Sequence, residues 1–486
     1  MNRRKFIKNT SFFIAGITLP AVLINCTKKP KEPVNPNPEK KLKVLIIGAG
    51  IAGLSAASSL QKEGYEVKVI EASNRYGGRI NSIDFNGDTV DAGASWIHGI
   101  TGNPLYSLSQ QNAIITRQTH YEPSYIFDID GSEITEEDWS NIEPYLNQLV
   151  DIAYDNQDLS LQGLLEIIAP QLNLTERLKR LFYGAVRSEI EIPYAIDAKD
   201  ISARALLVDD SFPGEDVVFP GGMHQLTDVL AQGIDISYNS FVYKIDYSGD
   251  QVAVYVKKYS EVDEKRACYA CHHNTNANNL SEDEVFSADK VIVALPLEML
   301  KRENVIFSPA FSNTRTEALN ALEMGIMNKV FLKFEENFWY EDAYFLEFLK
   351  EDYSNVIEFF SPTPTGLDNI LVAVLAGHHA KRIETMSDAE VEELVMSDLK
   401  GMFGNNIPSP TAITRTAWHS DPLALGAYPH LKPAKKMTVC DTIANDLDMK
   451  VFFAGDFVVK EYLATAHGAY ISGIRAAQKI MDSVMV

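Results

Sequence analysis

The chain has 486 residues, 46% of them hydrophobic and 23% charged, which suits a large buried core in two or more domains and excludes a disordered or collagen-like chain. Its formal net charge is −22, from 44 basic and 66 acidic residues, and so acidic a surface repels phosphate backbones and argues against nucleic-acid binding. Four cysteines at this length exclude a disulfide scaffold.

The first segment reads as an address. Arg3-Arg4-Lys5-Phe6-Ile7-Lys8 precedes an apolar run, Phe12 to Ile24, that is too short to span a bilayer comfortably. A charged start before a short apolar stretch marks residues 1–25 as an export signal, and the paired arginines resemble the twin-arginine type. Leu23-Ile24-Asn25-Cys26 resembles a bacterial lipoprotein cleavage site. Residues 26–41 are polar, with prolines at 30, 33, 36 and 38, and read as a disordered tether. Two outcomes stay open: lipid anchoring through Cys26 on the outer side of a bacterial membrane, and release as a periplasmic protein.

A nucleotide-binding pattern begins at Leu42. Lys43-Val44-Leu45-Ile46-Ile47 is a continuous apolar run, as in a buried parallel strand. It leads into Gly48-Ala49-Gly50-Ile51-Ala52-Gly53, a helical pattern to about Glu63, and a second strand, Glu66–Ile70, ending at Glu71. Strand, glycine turn, helix, strand and acid together predict a dinucleotide site. Gly48 permits the tight turn, Gly50 lets backbone approach a pyrophosphate, and Gly53 lets helix and strand pack closely. The helix N-terminus, including Ala52, offers N–H groups to phosphate, and Glu71 can accept ribose hydroxyls.

Glu71-Ala72-Ser73-Asn74-Arg75-Tyr76-Gly77-Gly78-Arg79 extends this fingerprint and resembles the FAD-binding motif of the flavin amine oxidase superfamily. The resemblance continues to about Ser483 and is nearest the polyamine oxidase and lysine-specific histone demethylase branch. It implies an α/β (α+β) fold: a Rossmann-type FAD-binding domain of the glutathione-reductase-like kind, with an interleaved substrate domain of mixed sheet and helices. The expected division is 42–101, 214–307 and 410–486 for the FAD domain, and 102–213 with 308–409 for the substrate domain.

The same resemblance assigns site residues along the chain. Ser95 and Trp96, in Asp91–Gly99, lie along the flavin. Phe219-Pro220-Gly221-Gly222-Met223 is a second glycine turn, and Val242 sits on the strand that receives the adenine. Arg79 supplies donors to the pyrophosphate or flavin, and Asp456 holds the ribityl or phosphate region. Trp418, Thr465 and Ala466 border the flavin. Met327–Phe334 resembles the strand bearing the catalytic lysine, Lys329, which in the family holds a water beside flavin N5. Alternation puts Val330, Leu332 and Phe334 on one face and Lys329, Phe331 and Lys333 on the other.

Ala427 stands where monoamine oxidases carry a flavin-bonded cysteine, so non-covalent FAD is expected. Tyr428 forms one wall of the substrate site, with Thr465 in place of a second aromatic. His98 falls at a polar substrate-contacting position, and no arginine nearby would clamp a carboxylate. The implied reaction is oxidation of a small cationic amine, polyamine or monoamine, by hydride transfer to flavin N5. The imine is hydrolysed to aldehyde, and oxygen is reduced to hydrogen peroxide. Three alternatives remain on this fold: desaturation of a porphyrinogen or carotenoid, a flavin-stabilised binding protein for cationic ligands, and amine dehydrogenation with a partner electron acceptor.

Ser140–Asp155 and Thr175–Ile190 have helical apolar spacing. Glu189 and Glu191 sit where polyamine oxidases place a tunnel carboxylate, but read better as a solvated helix end. Strands are expected around Lys329–Phe334, Val356–Phe360 and Ile370–Ala376. Cys268-Tyr269-Ala270-Cys271-His272 lies in a polar insertion, 257–290, where a local disulfide is preferred over a metal or haem site. Cys440 is expected in the core, and no metal is assigned.

Overall fold

A computed structural model of the protein describes residues 42–207, 212–258, 284–353 and 357–484. The export signal, Cys26, the tether and the Cys268–His272 motif lie outside the described residues. Among the described residues, no helix is long and apolar enough to cross a membrane.

The nucleotide side is built on five parallel strands in the order Val451–Phe453, Lys290–Val293, Lys43–Ile47, Glu66–Ile70 and Asp235–Ser237. The Lys43–Ile47 strand is apolar throughout because both of its faces are covered. Val44 and Ile46 enter one core cluster, and Leu45 and Ile47 enter the other. The Ile51–Lys62 helix packs on this sheet beside the closing Ala466–Val484 helix. A β-carbon at Gly473 would lie 2.0 Å from the Ala52 carbonyl oxygen, so glycine permits that close crossing.

The substrate side is a six-stranded sheet in the order Ala412–Arg415, Met327–Lys333, Ile370–Ala376, Glu358–Phe360, Phe345–Phe348 and Ser124–Phe127. Alternation sorts the lysine strand as expected: Val330, Leu332 and Phe334 enter one core cluster and Phe331 enters another. Two boundaries differ from the sequence reading. Ala412–Arg415, placed by sequence among the nucleotide-binding stretches, pairs along the lysine strand. The strand expected from Val356 is Glu358–Phe360.

The helix expected over Thr175–Ile190 is α-helical only across Glu176–Val186, then widens to a π turn at Arg187–Glu191. Pro193 explains the change, since it lacks the N–H that would reach the Glu189 carbonyl and its ring crowds that oxygen. Glu189 lies within this turn. This corrects the solvated helix end: Glu189 is 8% exposed. Glu191 is partly covered, accepts the Ala198 N–H at 2.7 Å, and pairs with Arg187 at 3.3 Å.

Candidate active site

The two sheets enclose a cavity of about 630 Å³ that runs from the glycine turn to the substrate helices. The glycine turn forms its nucleotide end. Gly48 has φ of +102°, and a β-carbon there would lie 2.5 Å from the Ala294 carbonyl oxygen. A β-carbon at Gly53 would lie 1.9 Å from the Gly48 carbonyl oxygen. At Gly50, by contrast, a β-carbon would meet no protein atom within 4 Å, although Gly50 lines the cavity. Gly48 and Gly53 are therefore required by the fold, and Gly50 leaves room for a ligand.

No side chain caps the Ile51–Lys62 helix and its first turn has no acid, so its N–H groups, Ala52 among them, are turned to the cavity end. An open glycine before an uncapped helix fits a dinucleotide pyrophosphate. Glu71 also lines the cavity and is half-buried. Its carboxylate accepts the Ala49 N–H at 2.6 Å and the Ser73 N–H at 2.8 Å, lacing the glycine turn to the next loop. Burial pushes its pKa above the ordinary carboxylate value. Val242 lines the cavity from a strand whose pairing slips between Val242 and Lys244, a bulge that bends the strand locally.

Arg79 and Asp456, both expected at the cofactor, line the cavity and meet each other there. Both Asp456 carboxylate oxygens accept from the Arg79 guanidinium, at 2.7 and 2.8 Å, and Arg79 also donates to the Ala427 carbonyl at 2.8 Å. The planar fork of arginine matches a carboxylate at two points. Asp456 thus reaches the cavity as one half of an ion pair with Arg79. The pair ties the glycine-pair loop to the segment after the closing strand. Arg75, quoted in the motif but not assigned to the site, also lines the cavity and donates to the Gly78 carbonyl at 2.9 Å.

Lys329 is 6% exposed and lines the middle of the cavity. Its ammonium donates to the carbonyls of Asp91 and Gly93, at 2.8 and 2.7 Å, and to the Ser95 hydroxyl at 2.5 Å. It also lies 5.7 Å from the Trp96 ring centroid. Burial holds this amine at about 8, below its usual 10.5, while Asp91 acts in the opposite sense. Trp418 closes the same region, its indole N–H donating to the Ala92 carbonyl at 3.1 Å. Asn328, which the sequence reading passed over, is fully buried and accepts from the Trp418 N–H at 3.0 Å and the Thr416 hydroxyl at 2.9 Å. It fixes the Trp418 segment against the lysine strand.

The remaining assigned residues also reach this cavity. Tyr428 lines it, its hydroxyl donates to the Pro193 carbonyl at 2.7 Å, and burial raises its pKa. Thr465 lines it too, with its hydroxyl accepting from the Gly468 N–H and donating to the Tyr462 carbonyl, both at 2.9 Å. That bonding starts the helix at Ala466, another lining residue. His98 lines the cavity with Nδ1 2.8 Å from Asp216. Glu189 and Glu358 add carboxylates on the substrate side. Gly53 stays off the wall, as its packing role requires, and so does the Phe219–Met223 glycine turn.

A family model for "Flavin containing amine oxidoreductase" matches residues 51–481. Lysine-specific histone demethylase 1 homolog 2 of Arabidopsis thaliana is 29% identical over 465 residues, covering 90% of this chain and 58% of that protein. The chain thus spans little more than half of the demethylase relative. Polyamine oxidase 2 of the same plant is 29% identical, covering 90% of this chain and 87% of that protein. A putrescine oxidase structure with putrescine bound superposes with a TM-score of 0.70 at 21% identity, covering 91% of this chain and 99% of that one. That likeness is one of fold. With the glycine cradle at one end of the cavity and a buried lysine in its middle, the family match closes the question of class: the chain belongs to the flavin-containing amine oxidoreductases, enzymes whose membership implies FAD as cofactor.

Proposed function

We propose that the chain oxidises an aliphatic amine carrying a second cationic group, a diamine or polyamine, to an imine that water hydrolyses to an aldehyde. Oxygen takes up the electrons to give hydrogen peroxide. FAD, when bound, supplies the hydride acceptor. The observation that carries the reading is Lys329, a buried amine tethered by Asp91, Gly93 and Ser95 at the cavity wall. Its three hydrogens are taken up by those acceptors, so it is the neutral amine that can fix a water, which donates to the nitrogen lone pair. Tyr428, Trp96 and His98 shape the surrounding walls, and Ala427 offers no nucleophile for a covalent flavin bond.

The second cationic group is suggested by Glu358 and Glu189, which line the same cavity. Lys329 pairs with Val374, and Val374 pairs with Glu358, so lysine and carboxylate sit in one row two strands apart. That separation is about 10 Å, the scale of a short polyamine. An anaerobic absorbance titration with putrescine, spermidine, aromatic monoamines and amino acids tests the reading. Bleaching of the flavin bands by the di- and polyamines is expected, and bleaching by none of the panel refutes it. In Glu358→Gln and Glu189→Gln, the KM for a diamine should rise about tenfold or more, while that for a monoamine of equal length stays unchanged. Equal changes for both substrates would remove the carboxylates from recognition.

A further inference from the structure

We propose that Asp216 is a positioning residue for amine recognition: it dictates which nitrogen of His98 carries the proton, and so presents His98 to the cavity as a hydrogen-bond acceptor. This inference rests on the amine-oxidation reading above. Asp216 opens the central strand, Asp216–Val218, of a three-stranded antiparallel sheet. Trp96–Ile97 flanks it on one side, with Ile97 opposite Val217, and Arg117–Thr119 on the other, with Thr119 opposite Asp216. His98 immediately follows the first flanking strand and Tyr121 follows the second, so the sheet delivers both to one carboxylate.

That carboxylate belongs to a residue only 4% exposed. Oδ1 accepts the Gly99 N–H at 2.9 Å. Oδ2 accepts the Tyr121 hydroxyl at 2.7 Å and lies 2.8 Å from His98 Nδ1. A carboxylate only accepts, so Nδ1 carries the hydrogen and the lone pair of the neutral ring falls on Nε2. An acceptor nitrogen attracts an amine N–H, whereas a donor there would oppose it. The turn beside it is rigid. Gly99 has φ of +69°, and a β-carbon there would lie 1.6 Å from the Phe212 carbonyl oxygen. Tyr121 lies parallel to Phe345, with ring centroids 5.6 Å apart and planes 2° apart. Both His98 and Tyr121 line the cavity.

Asp216→Asn tests this without changing shape. The Gly99 N–H needs an acceptor, so the amide oxygen must take the Oδ1 place. The NH2 group then falls at the Oδ2 place and faces His98 Nδ1, which must present its lone pair. The ring proton moves to Nε2, and the acceptor becomes a donor. Steady-state kinetics with a diamine that bleaches the wild-type flavin should show KM raised about tenfold or more, with kcat within about threefold. His98→Gln should raise KM similarly, and the double variant should be no worse than His98→Gln alone. A KM within about twofold of wild type in Asp216→Asn, or additive losses in the double variant, would overturn the proposal. Low FAD content or a Tm lowered by more than about 5 °C in Asp216→Asn would assign Asp216 to folding and overturn it equally. A wild-type flavin that no amine bleaches is a different failure, that of amine oxidation itself, and is seen before any variant is made.

Discussion

Lys329→Met should lower the rate of anaerobic flavin bleaching, or of reoxidation by oxygen, by about a hundredfold or more, with FAD content unchanged. Methionine fills much of the lysine volume but donates no hydrogen bond. The Asp91 and Gly93 carbonyls and the Ser95 hydroxyl lose their shared donor, and the nitrogen lone pair proposed to take a hydrogen bond from water is gone. The glycine cradle lies at one end of the cavity, away from Lys329, so cofactor loading is left intact. Stopped-flow absorbance reads both half-reactions separately. Unchanged rates of both would remove Lys329 from catalysis.

The same variant carries a pH signature. Lys329 releases its proton near 8 in the folded chain, against 10.5 for an ordinary lysine, because burial penalises its charge. Between those values the unfolded chain binds the extra proton. The group therefore adds stability that is fully present above the ordinary lysine value and is lost as pH falls through about 8. Urea midpoints of wild type should rise relative to those of Lys329→Met as pH increases from 7 to 10. Parallel midpoints would show that the amine titrates normally.

The second large effect separates two neighbouring glycines. Gly53→Ala puts a methyl group 1.9 Å from the Gly48 carbonyl oxygen, so helix and turn must move apart. It should lower both FAD content and the stability of the apoprotein. Gly50→Ala meets no protein atom within 4 Å, so the apoprotein should keep its Tm. Its methyl group occupies the room left for the pyrophosphate, and FAD affinity should fall about tenfold or more. FAD absorbance after dialysis and apoprotein melting curves distinguish the two. Equal FAD affinity in Gly50→Ala and wild type would place the pyrophosphate elsewhere.

Local pattern made much of this protein legible before any coordinates. The Lys43–Ile47 strand, the glycine turn, the helix after it and Glu71 are contiguous, and each obeys a short-range rule of sterics or burial. The strict alternation of Met327–Lys333 likewise marked Lys329 as facing away from the Val330–Phe334 core. The resemblance carried by these motifs then extended the site to Trp418, Tyr428 and Thr465, all of which line the cavity.

What stayed hidden depended on partners far apart in the chain. Asp456 meets Arg79 across 377 residues, and Asp216 meets His98 across 118. Neither pairing leaves a periodic trace, because an ion pair needs only two side chains meeting in space. Glu189 reads as solvated because charge predicts exposure on average, yet it is buried and lines the cavity from the π turn before Pro193. Asn328 was invisible for a related reason, since its bonds to Trp418 and Thr416 exist only after two strands pair. The sequence by itself determined the nucleotide fold and the lysine strand, whose information is local. Only the tertiary structure decided which acids face the cavity, because that follows from how separate strands meet.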